Sequence, residues 1–249
     1  MADREFFVGY LPSPPGMRRF VIGLAVAAVA IIGIVGGIIG TVQAFQPTGR
    51  GELSVLREFE GHLTVDPVPT LTVESNGGST VFLLVGAGKF GIPEAVREAD
   101  RQTVRFQGSL MYREQVTMIE ISDPSSFEVL GAARPTSEQP AVEVVGPMTV
   151  EGELVDTKCY FGIMRPATGK IHRACAVRCL SGGVPPGVLV RTQGDDGVVF
   201  LLAGPEGETL TVDPQWAALF VRAEGVLEIH DGMPVLRTDA VELTGREAL

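Results

Sequence analysis

Cysteine and histidine are both scarce in this sequence, three of each in 249 residues. They are not spread evenly. All three cysteines and one histidine fall in "DTKCYFGIMRPATGKIHRACAVRC", residues 156–179. Basic residues are also outnumbered, 20 Lys and Arg against 30 Asp and Glu, for a formal net charge of −10. Phosphate contacts need clustered Lys and Arg, so the chain as a whole is not a nucleic-acid binder. No CxxCH occurs, which excludes covalent c-type haem. Neither a Ser/His/Asp set, nor a carboxylate dyad, nor a phosphate loop stands out, so a non-catalytic role is the leading expectation and the enzyme question stays open. "GAGKFG" at 86–91 lacks P-loop spacing and reads as a plain turn between strand and helix. His62, in an opening strand, and His230, in the hairpin "IHDGMP", read as ordinary surface or turn residues.

Charge is absent altogether from Phe20 to Gly49, where "FVIGLAVAAVAIIGIVGGIIG" is almost wholly apolar. About 20 such residues cross a bilayer as a helix. Residues 20–45 are therefore expected to be a transmembrane anchor behind a leader at 1–19. Arg18 and Arg19 abut the run, with Arg4 nearby, whereas the far side has only Arg50 and Arg57 close in. The positive-inside rule then puts the leader in the cytoplasm and the remainder outside, as a single-pass protein of the cytoplasmic (inner) membrane with periplasmic domains. A cleaved signal peptide competes, with Val42 and Ala44 as a cleavage pair. Signal cores usually run about 7–15 apolar residues, and this run is longer. The aromatics of the leader "REFFVGYLPSPPG" suit the membrane interface. Gly33 and Gly37, like Gly36 and Gly40, are four apart, a spacing that lets a second helix approach closely. The expected occupant is another membrane subunit or a second copy.

Acidic residues are missing between 157 and 194, while Lys158, Arg165, Lys170, Arg173, Arg178 and Arg191 are present. This cationic stretch on an acidic body is expected to orient a negatively charged partner, with Lys158, Arg165, Lys170, Arg173 and Arg178 as docking residues. Positive charge beside a thiol also favours the thiolate. "GKIHRACAVRCLSGG" reads as a short helix with Thr168 as N-cap and Gly182 as stop. His172, Cys175 and Cys179 then lie at i, i+3 and i+7, within roughly 60° of one another on one face. With Cys159 arriving from the preceding strand, three sulfurs and one nitrogen can converge, and Met164 offers a weaker fifth ligand. Cys₃His is a tetrahedral set for zinc, and thiolate with thioether suits copper(I). The alternative is a disulfide from Cys159 to Cys175 or Cys179, with one thiol left over. A reactive thiol is the third reading.

Two stretches of the remaining chain resemble each other. "EGHL" at 60–63 answers "EGEL" at 151–154, "VFLLVG" at 81–86 answers "VFLLAG" at 199–204, and "VRFQGSL" at 104–110 answers "VRAEGVL" at 221–227. Gly61 to Phe82 spans 21 positions, but Gly152 to Phe200 spans 48. The second copy thus reads as the first with an insert after its opening strand, and the insert holds the cysteines. With 31 glycines and 17 prolines, many turns and short strands are expected. In the second copy the strands fall near 147–155, 187–193, 197–203, 218–229 and 233–243, with "GDDG" as a hairpin turn. Short helical pieces, "IPEAVREAD" and "DPQWAAL", follow the third strand of each copy. The expected fold is mainly β, an N-terminal transmembrane helix followed by two tandem OB-like five-stranded barrels at 52–146 and 147–249. The second would carry a Cys/His-rich helical insert at 156–186. A pair of small sandwiches is the fallback.

The box "VDTKCYFGIMRPATGKIHRACAVRCLSGGVPP" resembles one in an uncharacterised family of bacterial membrane-anchored proteins, KCYxGxMxPGxGKxHRxCAxxCxxGGxPP. Lys158, Cys159, Tyr160, Gly162, Met164, Pro166, Gly169, Lys170, His172, Arg173, Cys175, Ala176, Cys179, Gly182, Gly183, Pro185 and Pro186 match, and Ala167 stands where the pattern has glycine. The resemblance implies a membrane-tethered protein and supplies no reaction. The leading expectation is an extracytoplasmic accessory protein with a Cys/His metal or redox site, serving other subunits of a membrane-bound, respiratory-type complex. A structural or assembly subunit stapled by a disulfide comes next, and a thiol oxidoreductase third.

Overall fold

The computed structural model describes residues 14–44, 49–52, 54–75, 78–113, 116–132, 142–191 and 197–247. The leader aromatics and the first three residues of the "GDDG" turn lie outside the described residues. Two compact units form, Met1–Gln46 and Pro47–Leu249. Among its described residues the first holds one helix, α1 (Pro15–Ala44), opened by a proline where the missing N–H goes unused. This helix is long and apolar enough to be a membrane anchor or a signal sequence. Gly33, Gly36, Gly37 and Gly40 meet no neighbouring side chain along it.

The second unit holds two closed five-stranded barrels. The first is built from β2 (Arg57–Thr64), β3 (Thr70–Ser75), β4 (Gly78–Gly86), β5 (Gln102–Arg113) and β6 (Val116–Ile121). Around the barrel the order is β2-β3-β4-β6-β5, closing back on β2, with only β4 and β6 parallel. The two-residue β1 (Arg50–Gly51) and β7 (Glu128–Ala132) pair with β5 outside the closure. A one-turn helix, α2 (Glu94–Arg97), follows the third barrel strand and buries Val96.

The second barrel has the same connectivity. It runs β8 (Val142–Asp156), β9 (Pro186–Arg191), β10 (Gly197–Ala203), β12 (Met233–Glu247) and β11 (Leu219–His230), closing on β8, with β10 and β12 parallel. A 3-10 turn, Pro214–Trp216, precedes the fourth strand. Two helices, α3 (Thr157–Phe161) and α4 (Gly169–Ser181), stand between β8 and β9.

Side chains on a strand alternate between faces, and here both faces of certain strands are covered. In β4, Leu84 enters the first barrel's core with Leu63, Leu71, Phe106 and Ile119, while Leu83 and Val85 point the other way. In β10, Leu202 enters the second core with Leu154, Val188, Val221 and Leu236, while Leu201 and Ala203 point out. The outward sets meet. Leu83, Val85, Met111 and Met118 of the first barrel form one buried cluster with Val155, Leu189, Leu201 and Val235 of the second. That double burial explains why both segments read as unbroken apolar runs. All five residues of α3 are buried, and Tyr160 and Phe161 join the same inter-barrel cluster, their rings edge to face at 5.3 Å. Arg113 of β5 stacks on the Tyr160 ring at 3.9 Å and donates to the Tyr160 carbonyl.

A core shared this way makes the barrels one cooperative unit. Leu83→Ala should cost about 2–5 kcal/mol and lower a single unfolding transition of the whole unit. Thermal denaturation followed by circular dichroism checks this. Two separate transitions, with only one displaced, would contradict a shared core.

Candidate metal centre

The site begins at the end of β8. Asp156 is the N-cap of α3, and its Oδ1 accepts from the Cys159 amide at 2.8 Å. This places the Cys159 side chain toward α4. The start of α4 is fixed by another carboxylate of β8. Glu153, almost fully buried, accepts from the Gly169 amide at 2.5 Å and from Arg191 at 3.3 Å. An anion there complements the partial positive charge of a helix start. Thr168 occupies the cap position, but its hydroxyl accepts from Arg191 instead of capping the helix. Ala176 and Leu180 then face the second barrel's core, and the adjoining stripe presents His172, Cys175 and Cys179.

Cys159 is the hub of the sulfurs, shared by two groups whose ligand atoms lie within 4.8 Å of one another, Cys159–His172–Cys175 and Asp156–Cys159–Cys179. Cys159 Sγ lies 3.7 Å from Cys175 Sγ and 3.7 Å from Cys179 Sγ, and all three cysteines are free. With Zn–S bonds near 2.3 Å, the edge of a tetrahedron is about 3.8 Å. One ring nitrogen of His172 lies within 4.8 Å of the Cys159 and Cys175 sulfurs. His172 Nε2 donates to Asp156 Oδ2 at 3.0 Å, in the tautomer that leaves Nδ1 with its lone pair. A carboxylate behind the imidazole is the usual way a ligating histidine is oriented. Asp156 also lies within 4.8 Å of the Cys159 and Cys179 sulfurs, forming a second trio with them. This Cys/His group can hold a metal ion.

The electrostatics treat the sulfurs unequally, favouring the charged form at Cys179 and the neutral thiol at Cys159. Burial pushes the Asp156 carboxyl up, but the hydrogen bonds from His172 and Cys159 outweigh it and hold it below the ordinary aspartate range. The Cys159 thiol is pushed up by the hydrogen bond it shares with Cys179, by burial and by the Asp156 charge. As acceptor of that bond, Cys179 is drawn down against its own burial. Lys89 donates to Cys175 Sγ at 2.6 Å, and that bond holds the ammonium above the ordinary lysine range.

Lys89 belongs to "GAGKFG", so that stretch is more than the plain turn its sequence suggests. No local pattern points from it to the cysteines, because the contact crosses between barrels. Asp156 was legible as a cap three residues before Cys159, yet nothing in the sequence pairs it with His172. Met164 is 37 % exposed, in the segment between α3 and α4, whereas Cys159 and Cys179 are buried. The docking set is also corrected. Lys158 is only 7 % exposed; its Nζ donates to the Gly86 and Gly88 carbonyls at 2.5 and 2.6 Å and pairs with Glu120 at 2.6 Å. Burial removes it from any docking surface. Arg173 donates to the Gln215 carbonyl, while Arg165, Lys170 and Arg178 are exposed. His62 lies on β2 and His230 on β11, where it pairs with Glu228. No protein-family model matches the chain, and no curated protein matches it.

Lys158→Met would leave the Glu120 carboxylate and two carbonyls unpaired at the inter-barrel seam. The expected loss is about 3–5 kcal/mol, the cost of breaking a buried pair by removing one partner. Urea denaturation measures it, and a loss under about 1 kcal/mol would contradict a buried strut.

Proposed function

We propose that this chain is an extracytoplasmic accessory protein, tethered by α1 to the cytoplasmic membrane with its N-terminus inside, that binds one zinc ion for a membrane-bound complex. The observation that carries the reading is the pair of 3.7 Å sulfur–sulfur separations beside His172. Cys159, His172, Cys175 and Cys179 are the ligands in this reading, and Asp156 orients the imidazole. Copper(I) is the competing ion, since thiolates suit it as well. The absence of charge from Phe20 to Gly49 and the arginines before it support the anchor and its orientation. The glycines at 33, 36, 37 and 40 supply the packing face for another membrane subunit.

The strand order and the parallel pairing of third with fifth strand support reading both barrels as OB-like. The segment between the first two strands of the second barrel then occupies a loop where such folds carry binding surfaces. Exposed Arg165, Lys170 and Arg178 beside it are the docking residues for an acidic partner.

A disulfide from Cys159 is the second reading, because either partner sulfur is within reach of a small movement. It gives no role to the buried Asp156–His172 pair, which favours metal. Membrane-purified protein prepared under reducing conditions should hold about one zinc per chain by elemental analysis. Cys179→Ala should lose it, and Asp156→Asn should weaken affinity about 10–100-fold. Less than about 0.2 metal per chain, with a single alkylatable cysteine by mass spectrometry, would support the staple instead.

A further inference from the structure

The turn at residues 87–90 belongs to the first barrel but lies against the cysteine cluster of the second. Lys89 Nζ stands 2.6 Å from Cys175 Sγ. The backbone is fastened to the cysteine segment on both sides of this residue. Upstream, Lys158 grips the carbonyls of Gly86 and Gly88. Downstream, the Gly91 amide donates to the Gly182 carbonyl at 3.0 Å. The seam has no spare room: a Cβ on Gly182 would strike the Lys89 carbonyl, and one on Gly91 would strike the Gly183 carbonyl. The Lys89 backbone is thereby fixed, and its flexible four-carbon stem delivers the ammonium to one sulfur.

That sulfur is the open corner of the cluster. Cys159, His172 and Cys179 are 5 %, 4 % and 1 % exposed, whereas Cys175 is half-buried. A chelating agent or a competing thiolate can reach a bound ion most directly past Cys175, and the Lys89 ammonium stands on that path. Three thiolates around a divalent ion also leave one net negative charge, which a donating ammonium offsets.

We propose that Lys89 is the gate of this metal site: supplied by the other barrel, it covers the Cys175 corner and sets how fast the ion leaves. The inference rests on the metal reading above. Swinging the Lys89 side chain away from Cys175 would then open the site while the turn and every ligand stay in place.

Zinc-loaded full-length protein in detergent, mixed with excess 4-(2-pyridylazo)resorcinol, reports release by absorbance. Lys89→Met should release zinc about tenfold faster than the wild type, the lower end of what removing a ligand's hydrogen-bond partner does to metal binding. Lys89→Arg keeps the cation and should stay within about threefold. Both variants should begin with the wild-type zinc content and melting temperature. Fully loaded Lys89→Met with the wild-type release rate would overturn the gate and leave the metal reading standing. Equally fast release from Lys89→Arg, with a lowered melting temperature in both variants, would mark a packing role and overturn it as well. Wild-type protein without zinc would overturn both.

Discussion

One buried carboxylate determines whether the cysteines meet. Asp156 ends β8, caps α3 through the Cys159 amide, and reaches across to His172 on α4. Its two oxygens therefore fix the position of the first sulfur and the orientation of the imidazole together. A fully buried carboxylate is costly unless it is well hydrogen-bonded, and here both of its bonds go to groups that line the centre. Without Asp156, the contact between α3 and α4 would rest on the packing of Cys159 against Cys175 and Cys179.

The same economy shapes the seam between barrels. α3 is entirely buried, so Tyr160 and Phe161 pack into the shared core while Lys158 fastens the first barrel's turn. The residue next to the first ligand thus braces the scaffold that supplies Lys89. The centre is assembled where three components meet: a strand end, a helix from the loop of one barrel, and a turn from the other. Ligands held on elements whose ends are tied by buried hydrogen bonds can keep the geometry a metal demands.

Much of this was legible along the chain. Thr168 and Gly182 bracket α4 where expected, although the Thr168 hydroxyl does not cap it, and the i, i+3, i+7 spacing does bring His172, Cys175 and Cys179 to one face. Three of the second barrel's strands lie within two residues of where alternation and turn residues put them, while β8 and β12 run four or five residues longer at one end. What escaped was contact at long range. A lysine in a glycine-rich turn looks like any exposed lysine until the fold carries it across to Cys175. Lys158 carries the same charge as its exposed neighbours, and only its place on a buried helix separates it from them. Met164 matched the ligand chemistry by type, and it is far more exposed than the buried Cys159 and Cys179.

The account stands on three sulfurs and one imidazole surrounding a single ion. X-ray absorption fine structure on the zinc-loaded, full-length protein measures that shell directly. The predicted result is a first shell of three sulfurs at about 2.3 Å and one nitrogen at about 2.0–2.1 Å. A shell of oxygen and nitrogen alone, or zinc bound with Cys159 tied up in a disulfide, would contradict it.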